Sequence, residues 1–84
     1  MARPRHIIAE NRRIVRLTLA AVAHSHGLTE ADLLVRDRHP RAVRARHQAW
    51  AACRSLGLTL RAIADVGGWD QSTVREGAMK GGAQ

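Results

Sequence analysis

Thr59-Leu-Arg-Ala-Ile-Ala-Asp-Val-Gly-Gly-Trp-Asp-Gln-Ser-Thr-Val-Arg-Glu-Gly-Ala-Met-Lys80 reads as two short helices around a glycine turn. Thr59 is placed to cap a helix whose inward residues are Leu60, Ile63 and Ala64, because those offsets share one face. Gly67-Gly68 stops it, since glycine takes a left-handed conformation after a helix at little steric cost. Asp70 is then placed to cap the next helix by accepting from the backbone N–H of Ser72 or Thr73. With Val74 and Ala78 inward, Gln71, Ser72, Thr73 and Arg75 gather on the exposed first turn of that helix. The spacing predicts a helix-turn-helix over 59–80.

Upstream, a helix is expected from Pro40 to Leu56, with Val43, Trp50, Cys53 and Leu56 inward, Ala49 and Ala52 alongside, and Gly57 closing it. Pro40 turns His39 away from helical angles and suits a first helical position. Arg41, Arg44 and His47 point outward from the first turns. Before it lies a charged loop, Arg36 to Arg41, and before that Thr29 with Asp32 three residues on, a capping-box pattern that opens a short helix docked by Leu33 and Leu34. From His6 to His26, Ile8, Val15, Leu19 and Val22 recur at helical spacing, with Arg12, Arg13 and Arg16 on the other faces. Gly27 ends this long amphipathic helix and Leu28 packs back on it. Met1 to Arg5 is a short basic arm, and Gly81 to Gln84 reads as the only flexible tail.

A chain of 84 residues holds one modest core, and residues 1–84 are expected to form a single domain. Aromatics are 2%, Trp50 and Trp69 alone, so that core falls to Leu, Ile, Val and alanine. Period-two alternation of β-branched residues is absent. The expected fold is therefore all-α, a small domain of about five helices with a C-terminal helix-turn-helix.

Net charge is +7 and the isoelectric point about 11.7, with Lys80 the one lysine among 14 basic residues. Arginine forks suit phosphate oxygens, so the composition points to a polyanion, and double-stranded DNA is the commonest for a basic helical domain. Charge is +4 over residues 1–28, −1 over 29–40, +4 over 41–56 and 0 over 57–84. The neutral C-terminal segment and the basic segments before it suit a division in which arginines hold the backbone and polar side chains read bases.

Other classes fare worse. Cys53 is the only cysteine, so no intramolecular disulfide forms, and its place on an apolar face reads as a buried thiol. No apolar run approaches the ~20 residues of a membrane span, and the expected location is cytoplasmic, at the bacterial nucleoid. His24 and His26, two apart on a helix, do not share a face, and no zinc spacing occurs, so neither metal nor other cofactor is expected. Acids are few and scattered, and no nucleophile motif is present, so an enzyme is not expected. Trp69 reads as a plug between two helices, with stacking on DNA as the other reading. Gln71 has no inward task and has the geometry to pair bidentately with adenine.

From Ala31-Asp32-Leu33-Leu34 through the arginine loop, the helix Arg46-His47-Gln48-Ala49-Trp50-Ala51-Ala52-Cys53-Arg54-Ser55-Leu56, and Gly67-Gly68-Trp69-Asp70-Gln71-Ser72-Thr73-Val74, the chain resembles the C-terminal DNA-binding domain of the replication initiator DnaA. About two-thirds of the chain is covered. The resemblance implies a helix-turn-helix in the major groove and a loop arginine in the adjacent minor groove. It matches Asp70, Gln71, Ser72 and Thr73 to the base-reading turn, Arg38 to the minor-groove arginine and Arg46 to a groove or phosphate contact. Trp69 and Gln71 stand where the family usually has Arg and His, so its target sequence does not carry over. No Gly-x-x-x-x-Gly-Lys-Ser/Thr occurs, so ATP binding is not implied. More distantly, the pattern resembles helix-turn-helix segments of regulators and transposases.

The sequence thus leads to a free-standing, sequence-specific double-stranded DNA binder that regulates transcription or replication, of a size suited to a phage or mobile element. Its expected contacts are Arg38, Arg41, Arg44, Arg46, Asp70, Gln71, Ser72, Thr73 and Arg75. The alternative is an adaptor or antagonist of the same fold that docks a larger replication or transcription protein.

Overall fold

Each helix stops or starts where a local device dictates. In the computed structural model, which describes residues 5–35 and 38–82, five helices follow in order and no strand occurs among the described residues. The basic arm Met1–Pro4, Arg36 and Asp37 of the charged loop, and Ala83–Gln84 of the tail lie outside them. Helix α1 (Arg5–Ser25) ends at Gly27, whose φ of 72° turns the chain so that the Leu28 N–H reaches back 2.8 Å to the Ala23 carbonyl. Helix α2 (Glu30–Leu34) opens on a complete capping box: Thr29 Oγ1 accepts from the Asp32 N–H at 3.3 Å, and the Asp32 carboxylate accepts from the Thr29 N–H at 2.8 Å. The Thr29 N–H and the Thr29 hydroxyl both donate to the Asp32 carboxylate and hold it below its ordinary range.

Helix α3 (Pro40–Ser55) begins with proline at its first position and His39 as its cap, Nδ1 accepting from the Arg41 N–H at 3.2 Å. Helix α4 (Leu60–Gly67) is capped by Thr59, whose Oγ1 accepts from the Ala62 N–H at 3.1 Å. Helix α5 runs over Gln71–Gly82.

These helices close around Val15, Leu19 and Ala23 of α1, Leu33 of α2, Ala45, Ala49, Trp50 and Cys53 of α3, Leu58 of the connection that follows, Ile63 and Ala64 of α4, and Val74 of α5. Trp50 is the largest buried side chain and supplies the area that Phe and Tyr provide elsewhere. Its indole N–H is buried with no hydrogen-bond partner among the described residues. Cys53 is buried as expected, and burial pushes its thiol pKa up.

Four sequence expectations change. Ile8 is 47% exposed, because Ile7 through Glu10 stand clear of the other helices and the inward stripe of α1 engages only from Ile14. On α3 the buried stripe is Ala42, Ala45, Ala49, Trp50 and Cys53, while Val43 is half-buried. Leu56 is 63% exposed, since it falls after the last helical turn; Leu58 takes the inward place, its N–H bonded to the Cys53 carbonyl at 3.1 Å. Gly81 and Gly82 are helical residues of α5, not a tail, and Gly81 packs on the backbone of α3.

Candidate nucleic-acid interface

The connection from α4 to α5 is three residues long, Gly68 to Asp70. Gly68 sits in the left-handed region at φ 66°, where a Cβ would be strained, and this sends the Trp69 N–H back to the Ala64 carbonyl at 2.9 Å. The Trp69 ring lies over Gly67 so closely that a Cβ there would be 2.4 Å from it, and it meets Trp50 edge to face with centroids 5.1 Å apart. Trp69 is therefore a plug between the turn and α3.

Asp70 precedes the first residue of α5, and its carbonyl takes the Val74 N–H at 3.0 Å. Its carboxylate accepts from the Ser72 hydroxyl, two residues on, rather than from the backbone N–H anticipated from the sequence. Gln71, Ser72, Thr73 and Arg75 are all exposed, and Gln71, Thr73 and Arg75 make no side-chain bond to the described residues.

What holds this turn in place is the far side of α5. A Cβ on Gly77 would lie 2.4 Å from the Trp50 ring, and one on Gly81 would lie 2.2 Å from the His47 carbonyl oxygen, so two glycines four apart let α5 settle directly on α3. Gly81 lies against His47 and Gln48, while Arg75 and Ala78 border the same groove as Arg54 and Ser55. Helix α5 thus runs antiparallel to α3 and begins beside its C-terminal end. That groove, 310 Å³ in volume, also includes Leu60 and Met79.

The arginines divide into two groups. Arg38, Arg41 and Arg44 are exposed at the N-terminal end of α3, with no bond or ion pair to the described residues. Arg46 is engaged within the fold: Nε donates to the Leu33 carbonyl at 3.0 Å and Nη2 to the Val35 carbonyl at 3.2 Å, closing the C-terminal end of α2. A guanidinium so held positions the loop after α2 instead of reaching outward. Arg54 likewise donates to the Leu58 carbonyl at 2.7 Å, and Arg16 pairs with Glu30 at 3.2 Å.

His47, expected to point outward, is half-buried with its ring 5.7 Å from that of Trp50. Burial, with the charges of Lys80 and Arg46, holds its pKa below the ordinary histidine value. No group of three or more His, Cys, Asp or Glu suited to a metal occurs among the described residues. No helix among them is long and apolar enough to cross a membrane.

The glycine pair and Leu58 were missed in the sequence. Small residues four apart were the signal for the first, and the Leu28 pattern repeated after Gly57 for the second. No family model, curated protein or solved structure matches the chain.

Proposed function

We propose that the chain is a helix-turn-helix module that binds double-stranded DNA in a sequence-dependent way, with the first turn of α5 in the major groove. The observation that carries this is the exposed pair Gln71 and Thr73, unbonded to the rest of the described residues on a helix fixed from behind by Gly77 and Gly81, with Arg75 one turn on at the edge of the groove beside Arg54. Amide and hydroxyl groups in that position face outward with hydrogen-bonding capacity unspent, which is what base-edge reading needs.

The exposed arginines support the same reading. From the end of α3 beside α5 back to Arg44 and Arg41 is 11 to 14 residues, about 16–21 Å along the axis. With α5 in a major groove, Arg41 and Arg44 at the far end of α3, and Arg38 just before it, are set apart from the base-reading turn and serve the flanking phosphates. On this reading Arg46 is a positioning residue for the loop. The resemblance to the DnaA C-terminal domain belongs to the same proposal, as do regulation of transcription or replication, a non-enzymatic role and a place at the nucleoid.

An adaptor role is the second reading, favoured by the apolar groove between α3 and α5. Selection from random duplexes at fixed salt separates the two. Enrichment of a motif supports DNA reading; salt-sensitive binding with no motif removes the sequence-reading claim.

A further inference from the structure

We propose that the groove between the C-terminal half of α3, the start of α4 and the outer side of α5 is a docking site for a short, acidic, amphipathic helix of a protein partner. Its apolar floor comes from Ala51, Leu60, Ala78 and Met79, and its rim carries Arg54 and Arg75. No carboxylate lines it. Met79 is 70% exposed, and Leu56, next in sequence to the lining Ser55, is 63% exposed, so apolar surface is left bare around a cleft of 310 Å³.

Charge and shape together choose the occupant. Arg54 is anchored by its bond to the Leu58 carbonyl, so its charge is held at the groove from α3, while Arg75 adds a second positive charge from α5. A second copy of this chain brings a net charge of +7 against two arginines. A DNA backbone satisfies the arginines but leaves Met79 and the exposed part of Leu60 uncovered. A helix with leucine or phenylalanine on one face and glutamate beside it satisfies both, in the helix-in-groove mode; strand addition has no sheet edge to use among the described residues.

The test uses the full chain, isotopically labelled, and a fluorescent synthetic peptide of about 14 residues, roughly 21 Å as a helix. The peptide carries Leu and Phe at i, i+3, i+4 and i+7 with glutamate elsewhere. Its control has the same composition, scrambled so that the apolar residues share no face. The expected result is amide shift changes centred on Ala51, Leu60, Ala78 and Met79. The scrambled peptide and the Met79→Glu variant should each weaken binding by about tenfold or more, as loss of a central anchor does, while Met79→Leu stays within about twofold. Met79 is exposed, so Met79→Glu leaves the fold intact, which the amide spectrum itself checks. Equal binding of the scrambled peptide, shifts spread over the basic surface, or indifference to Met79→Glu overturns the proposal. So does a concentration-dependent dimer whose shifts fall on the same four residues, which assigns the groove to a second copy.

Discussion

A Cβ placed on Gly81 would lie 2.2 Å from the carbonyl oxygen of His47, so α5 and α3 meet backbone to backbone. Only a residue without a side chain fits there, and the angle of the exposed turn at the other end of α5 follows from this contact.

The first prediction is that Gly81→Ala destabilises although alanine is the better helix former. Overpacking costs about 1–3 kcal/mol against a helix-propensity gain of about 1 kcal/mol, leaving a net loss of up to about 2 kcal/mol. At Gly82 the added Cβ meets the Ala51 Cβ at 3.9 Å, an ordinary contact, so Gly82→Ala should be neutral or stabilise by about 0.5 kcal/mol. Urea unfolding of both variants is the check, and equal stabilities would remove the close-packing account.

The second concerns acid. His47 has a folded-state pKa below its unfolded value, so its neutral form belongs to the fold. Its contribution is complete above about pH 6.5, the ordinary unfolded value, and is lost as the pH falls from there toward its lower folded pKa, because the unfolded chain then takes a proton that the folded one refuses. Asp32 is also depressed, so the capping box fails at lower pH still, below the ordinary carboxylate range. Melting temperature should drop between pH 7 and 5, and His47→Gln should flatten that slope. An unchanged slope in the variant would mean that His47 is not the group responsible.

A third prediction separates two neighbouring arginines. Arg46→Ala frees the carbonyls of Leu33 and Val35 and should cost about 1–2 kcal/mol of stability. Arg44→Ala should leave stability within about 0.5 kcal/mol. It should also lower the slope of log affinity for duplex DNA against log salt by roughly 0.9, the value of one phosphate contact. The same stability loss in both, or the same salt slope in both, contradicts the division.

Much of the fold was legible because its determinants are local. Thr29 with Asp32, Pro40 after His39, Thr59 and Gly68 each act within a few residues of the helix end they set, so spacing alone identified them. The start of α5 at Gln71 was legible for the same reason. What spacing could not supply was the partner of a side chain distant in sequence. Arg46 looks like any exposed arginine until α2 is folded beside it, 11 to 13 residues earlier in the chain. Gly77 and Gly81 look like punctuation until α3 lies against them. Leu56 fits the helical stripe by count, yet the helix ends one residue too soon for it to face inward.

The most direct test of the central claim measures how Gln71→Ala binds the duplex selected by the native chain and every single-base variant of it. If Gln71 reads an adenine in the major groove, the variant should lose about 1–3 kcal/mol on the selected site and relax preference at one base pair only. Circular dichroism establishes that the variant is folded, and Val74→Asp, which puts a charge at a fully buried position, supplies the unfolded reference. An unchanged base preference at every position in folded Gln71→Ala would contradict the account.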